Sequence, residues 1–173
     1  SDMKPGLSIF ILLLCMLNTA AQAGPREQAR RIHDRIAGVP PTGEVLAGMA
    51  ARIEANGDDG AVAAAYAAME NPDFYRTTLK NLAAPWTNRN QDVFAPLNDY
   101  TATVIGMIRD DVPFNLVLSE DIIYTGANGL VNPDYEQTSN DHYLALEDQG
   151  IDLSDPLNLV RRTQSGLPGS QMS

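Results

Sequence analysis

The two histidines, His33 and His142, are the side chains best suited to hold a metal or to move a proton near neutral pH. His33 sits in Arg30-Arg31-Ile32-His33-Asp34-Arg35. Its functional reading is a metal or haem ligand, or a base oriented by a carboxylate. Its ordinary reading is a surface histidine among charges, and that reading is preferred. His142 follows Asp141 beside a long loop and is the stronger ligand candidate, because loops carry sites. Two histidines alone do not make a zinc site. No serine lies in Gly-x-Ser-x-Gly and no glycine-rich phosphate loop is present, so a hydrolase built on His142 lacks a nucleophile motif. Asn128, Asn132, Asp134 and Asn140-Asp141 do not follow calcium-loop spacing and read first as turn formers. Tyr75, Trp86 and Tyr100 are candidates to line a ligand or haem crevice, although aromatics at helical spacing also suit a core. Asp110-Asp111 reads as a helix cap before Pro113 rather than as an acid pair.

The elements that must position these groups read as helices. Pro25 suits a first turn, and Ala29, Ile32 and Ile36 fall on one face up to the stop at Gly38-Val39-Pro40-Pro41. Thr42 caps a second helix over 43–55, with Val45, Leu46, Met49 and Ile53 inward and Asn56-Gly57 closing it. A third runs over 61–69, with Val62, Tyr66 and Met69 as its apolar face. Asn71-Pro72 starts a fourth through Phe74, Tyr75, Leu79 and Leu82, ended by Pro85. The longest periodic stretch, 94–109, predicts a helix, and Pro113 opens a short one with Phe114, Val117 and Leu118 inward. Residues 122–124 suit a short extended segment, 126–140 a long loop, and 141–149 one more helix. The predicted fold is all-α: an irregular bundle of five to seven helices with a long loop over Gly126 to Asn140 and a separate N-terminal signal-peptide helix. Residues 1–2 read as a vector remnant, 3–23 as the signal peptide, and 24–160 as the helical domain. Residues 161–173 read as a loose tail or the start of a missing region.

Met3-Lys4, the apolar run Leu7 to Leu17 and Ala21-Gln22-Ala23 carry the export reading, with cleavage after Ala23. The run is about half the ~20 apolar residues that a membrane span needs. The expected location is the periplasm or the extracellular space, with no stable membrane span after cleavage. The only cysteine, Cys15, leaves with the signal peptide. The mature chain then has no disulfide, no thiol nucleophile and no Cys-x-x-Cys-His for covalent haem. A net charge of −10 gives no electrostatic reason to bind nucleic acid.

Three segments in order resemble the planctomycete-type cytochrome c-associated domain families. Ile36-Ala37-Gly38-Val39-Pro40-Pro41-Thr42 is similar to their "TGxPPT" signature. Glu70-Asn71-Pro72-Asp73-Phe74-Tyr75-Arg76 is similar to "SPxYGER", and Arg109 to Leu118 to "N-x-D-x-P-Y-D-x-F-V". The resemblance spans 36–118 and brings no catalytic residues to carry over. It implies an exported, non-catalytic helical module that packs against a haem domain or a c-type cytochrome partner and supports electron transfer. No cofactor is expected within this chain; haem would sit on a missing downstream region or on the partner. The second expectation is an independent periplasmic binding protein for a small ligand or metal.

Overall fold

The computed structural model describes residues 23–167. The expected vector remnant and the signal peptide up to Gln22 lie outside the described residues, as does the tail from Pro168. Pro25 in the first turn and Gly38 in the left-handed conformation (φ 76°) bracket α1 (Pro25–Ala37), as the sequence predicts. Its inward face is displaced from prediction. Ala29, His33 and Ala37 are buried, while Ile32 and Ile36 are only partly covered. His33 is therefore a core residue and not a surface one. Its Nδ1 donates to the Val39 carbonyl at 2.8 Å and ties the helix to the turn that follows.

Thr42 caps α2 (Gly43–Met69), its hydroxyl accepting from the Val45 amide at 3.4 Å. Gly57, at φ 55° and ψ −123°, breaks this segment in two, where Asn56-Gly57 predicts the end of a helix. The second half turns back onto the first: a Cβ on Gly60 would stand 2.0 Å from the Arg52 carbonyl oxygen. Such close approach leaves room only for small side chains. Gly60, Ala64 and Ala68 form the inner face, against Leu46, Met49 and Ile53. The larger Val62 and Tyr66, predicted to be inward, face solvent, Tyr66 with 66% exposure.

Asn71 accepts from the Asp73 amide at 2.9 Å and opens a π-helical turn, Phe74–Leu79, which buries Phe74 and Leu79. It runs into α3 (Lys80–Ala83) and then into a 3-10 turn, Ala84–Thr87, at Pro85. Leu82, predicted to be inward, is exposed.

The central element is α4 (Asp99–Arg109). It begins later than the predicted Phe94, because Asn98 caps it, Oδ1 accepting from the Thr101 amide at 3.0 Å. Phe94 is left 89% exposed. Residues 101–107 are all buried, so this helix is covered on every side. Pro113 opens only a 3-10 turn, Phe114–Leu118, with Phe114 and Leu118 exposed; Asp111 sits at φ 53° and caps nothing.

The all-α expectation fails at a small sheet. β1 (Ile123–Gly126) pairs antiparallel with β2 (Leu159–Arg162), from Ile123↔Arg162 to Gly126↔Leu159. The architecture is mixed, mostly helical with one two-stranded sheet lying on α4. β1 is wholly buried, but in β2 only Leu159 is. β2 is held by its backbone ladder and by Arg162, which donates to Thr125 Oγ1 (2.9 Å) and Asn128 Oδ1 (2.7 Å). A strand stabilised this way has no apolar run to announce it. It crosses the predicted domain boundary at 160. Gly106 lets the Tyr124 ring lie directly on α4, since a Cβ there would stand 2.1 Å from a ring carbon. Of the loop predicted over Gly126 to Asn140, Gly126 belongs to β1 and the rest leads to α5 (Asp141–Asp148), where a helix over 141–149 is predicted.

Arg109 closes this arrangement. Its side chain is only 7% exposed. Nη1 donates to the carbonyls of Leu153, Asp155 and Leu159 at 3.3, 3.2 and 2.8 Å. Nε and Nη2 form a two-pronged pair with Asp110 at 2.7 and 2.9 Å, and the guanidinium stands 5.8 Å from the Tyr124 ring centre. Tyr124 donates its hydroxyl to the same carboxylate at 2.9 Å. Arg109→Met leaves Asp110 without its charged partner and takes the side-chain donor from the Leu153 and Leu159 carbonyls, and is expected to cost about 3–5 kcal/mol in urea unfolding. Arg109→Lys is expected to recover only a minor part, because a point charge cannot reproduce the fork.

Asp110 and Tyr124 also set a pH window. The hydrogen bond from Arg109 holds the Asp110 carboxyl below its ordinary 3.8. Burial, and then the bond to Asp110, push Tyr124 up from 10.0 to about 12. A depressed acid contributes stability that is present above its unfolded pKa and lost as pH falls through the folded one. A raised group contributes stability that is present below its unfolded pKa and lost as pH rises through the folded one. Stability measured by urea midpoint is thus expected to fall below pH 3.8 and again between pH 10 and 12. Asp110→Asn should flatten the acid limb and Tyr124→Phe should shrink the alkaline one.

Candidate binding surface

The turn after Pro85 aims Trp86 outward, with 61% of its surface exposed. Asn88 braces the turn: Nδ2 donates to the carbonyls of Ala84 and Asp92, both at 2.9 Å, and Oδ1 accepts from the Asp92 amide at 3.2 Å. Asn98 links the turn to α4, donating to Thr87 Oγ1 at 3.1 Å. These bonds set Trp86 over Tyr100, with ring centres 6.4 Å apart, and over Phe114, at 6.3 Å. Both ring pairs are tilted, within the range of favourable aromatic contact. Leu82, Phe94 and Leu118, on the same or neighbouring segments, are exposed too. The result is an aromatic face drawn from three segments.

Tyr100 also lines a recess of about 180 Å³ with Asp99, Thr103, Ile123, Tyr135 and Gln164. A second recess of about 230 Å³ shares Asp99, Tyr135 and Gln137 with it and adds Tyr143. The two form one cleft across the start of α4. Burial, and then the negative charge of Asp99, raise Tyr135 above its ordinary pKa. Burial raises Tyr143 further, with smaller contributions from Tyr135 and Asp99.

Of the crevice candidates, the structure brings Trp86 and Tyr100 together and places Tyr75 elsewhere. Tyr75 packs edge-on against Phe74 at 5.1 Å, in the main core. Its pKa is raised chiefly by burial, with Arg109 opposing. His142 is 1% exposed, and both of its nitrogens are engaged. Nε2 accepts from the Gly126 amide at 2.9 Å, which requires the lone pair there, so Nδ1 carries the proton and donates to the Pro133 carbonyl at 3.0 Å. The ring is a clasp between β1, the loop and α5. Asp141 is exposed and its amide is held by Ser139 Oγ at 3.1 Å; it does not orient the histidine. His33 bonds a different part of the chain. Among the described residues, no three His, Cys, Asp or Glu side chains gather as a metal site requires, and no helix is long and apolar enough to cross a membrane.

Phe114, Asp99 and Tyr135 were missed in the sequence. Asn98, a strong capping residue, is the signal that would have placed Asp99 in a first turn and Tyr100 at its edge. His142→Leu leaves the Gly126 amide and the Pro133 carbonyl unpaired. It is expected to cost about 1–3 kcal/mol for each stranded group, seen in the urea midpoint, and to speed hydrogen exchange at the Gly126 amide. The chain matches no protein-family model, and neither a curated protein nor a solved structure is found to be similar to it.

Proposed function

We propose that this chain is an exported, non-catalytic docking module whose working surface is the Trp86–Tyr100–Phe114 face. Its partner is a c-type cytochrome domain, against which it packs to support electron transfer. The observation that carries the reading is an aromatic cluster held in place by a hydrogen-bonded turn and left open to solvent. Contiguous exposed apolar surface marks association sites, and Trp and Tyr are the side chains that most often anchor them. A net charge of −10 favours a partner with a basic rim. Phe114 belongs to the third of the segments that carry the family resemblance, so the resemblance and the exposed face meet at one residue. Residues 24–173 hold no cysteine, so covalently bound haem would sit on a further region of the protein or on the partner.

Trp86 is the only tryptophan, and its emission reports on this face alone. Titration with a c-type cytochrome from the native host is expected to quench that emission to saturation, since haem accepts its excitation energy. Phe114→Asp is expected to weaken the association at least tenfold, about 1.4 kcal/mol or more, without changing the thermal melt. Raising salt should weaken it as well. Absence of saturable quenching, or an unaffected Phe114→Asp variant, would refute the docking reading.

A further inference from the structure

We infer that the cleft across the start of α4 is a binding site for a small organic ammonium ion. It does not rest on the docking reading: of the docking face only Tyr100 lines it, and its Asp99 and Tyr135 belong to no part of that face.

The first argument is charge. The carboxylates on the cleft walls are Asp99 and Glu136; no lysine or arginine lines either recess. Asp99 is in no ion pair among the described residues. Its Oδ1 accepts from the Tyr100 amide at 2.7 Å, which leaves the rest of the carboxylate open to a ligand. The positive end of a helix dipole would by itself suit an anion. Here that end already carries a carboxylate, so the net demand of the cleft is for a cation.

The second argument is the walls. Tyr100 and Tyr135, both partly exposed, line the cleft beside this carboxylate, and the buried Tyr143 backs Tyr135 from behind. Tyr135 meets Tyr143 edge to face at 6.0 Å and His142 at 6.1 Å, so its ring is held and not free to swing. The charge of Asp99 is felt at both phenols, which places it within electrostatic reach of the same space. Aromatic rings beside carboxylates select alkylammonium groups, because ring faces attract a cation whose own hydration is weak. A bare metal ion is the poorer match, since it would need several oxygen ligands converging at short range. Gln137 offers a carbonyl to an N–H donor where the ligand has one.

The third argument is size. Each lobe of the cleft, at about 180 and 230 Å³, is smaller than the roughly 300–1,000 Å³ that a drug-sized ligand fills. They suit a trimethylammonium or aminoethyl head with a short tail.

The experiment titrates the labelled protein with choline chloride and follows backbone amide resonances. The amides of residues 99–103 and 135–140 are expected to shift to saturation. 3,3-Dimethylbutan-1-ol, which has the shape of choline without its charge, is expected to shift none of them. Asp99→Asn is expected to weaken choline binding at least tenfold and Tyr135→Leu several-fold, while Phe114→Asp leaves it unchanged. Ethanolamine in a parallel titration distinguishes a primary from a quaternary ammonium preference. Equal shifts with the neutral alcohol, no saturation with either amine, or unchanged affinity in Asp99→Asn would each overturn the proposal. Should Asp99→Asn fail to fold, the comparison of choline with the neutral alcohol decides alone.

Discussion

A buried guanidinium is the constraint on which most of this structure depends. Arg109 stands at the end of the central helix and reaches two carbonyls on the segment between α5 and β2 and a third at the first residue of β2. That segment has few apolar residues and cannot bury itself by hydrophobicity alone. Its backbone acceptors instead converge on one fork of donors. The charge is neutralised by its own neighbour, Asp110, which Tyr124 also binds. Strand, helix end and loop thereby share one polar knot. A charge taken out of water is tolerable only when it is paired and hydrogen-bonded, and here it is paired with Asp110 while each of its three nitrogens has an acceptor. A second knot does similar service on the other side. Glu147 of α5 pairs with Lys80 and accepts from the Leu97 amide, while Asn140 donates to the Leu97 carbonyl.

The two hydrophobic clusters have different characters. The α1–α2 layer is built of alanines and one glycine around Leu46, Met49 and Ile53, and it owes its closeness to small side chains. The cluster around α4 is built of large residues, with Tyr124 and Tyr143 turned inward and their hydroxyls satisfied. Ile36 packs against both and joins them. The aromatic face and the cleft lie along the second cluster, where α4 supplies a rigid floor.

What was legible in the sequence was local. Pro25, Gly38, Thr42, Asn71 and Gly57 mark real helix boundaries because caps and breakers act within a few residues. What was not legible was the direction each helix faces. Val62 and Tyr66 look like a core stripe until the chain doubles back at Gly57 and only Ala64 and Ala68 fit inside. His33 looks like a surface group because its neighbours are charged, yet the Val39 carbonyl draws its ring inward. β2 straddles the predicted boundary between domain and tail because pairing with a strand far away in sequence leaves no periodic trace. The candidate surface shows the same division. Trp86 and Tyr100 could be named as aromatics near a polar loop. Their meeting with Phe114, and the approach of Tyr135 to Asp99, depend on segments distant in sequence.

The bracing of the Trp86 turn has a thermodynamic consequence. Fixing a residue's backbone costs about 1–2 kcal/mol at room temperature. Asn88 makes three hydrogen bonds within the turn, and Asn98 anchors the turn to the helix, so much of that ordering is complete when the chain folds. An aromatic face borne on such a turn is preorganised. Whatever meets it gains from burying the rings without first having to still the loop that carries them.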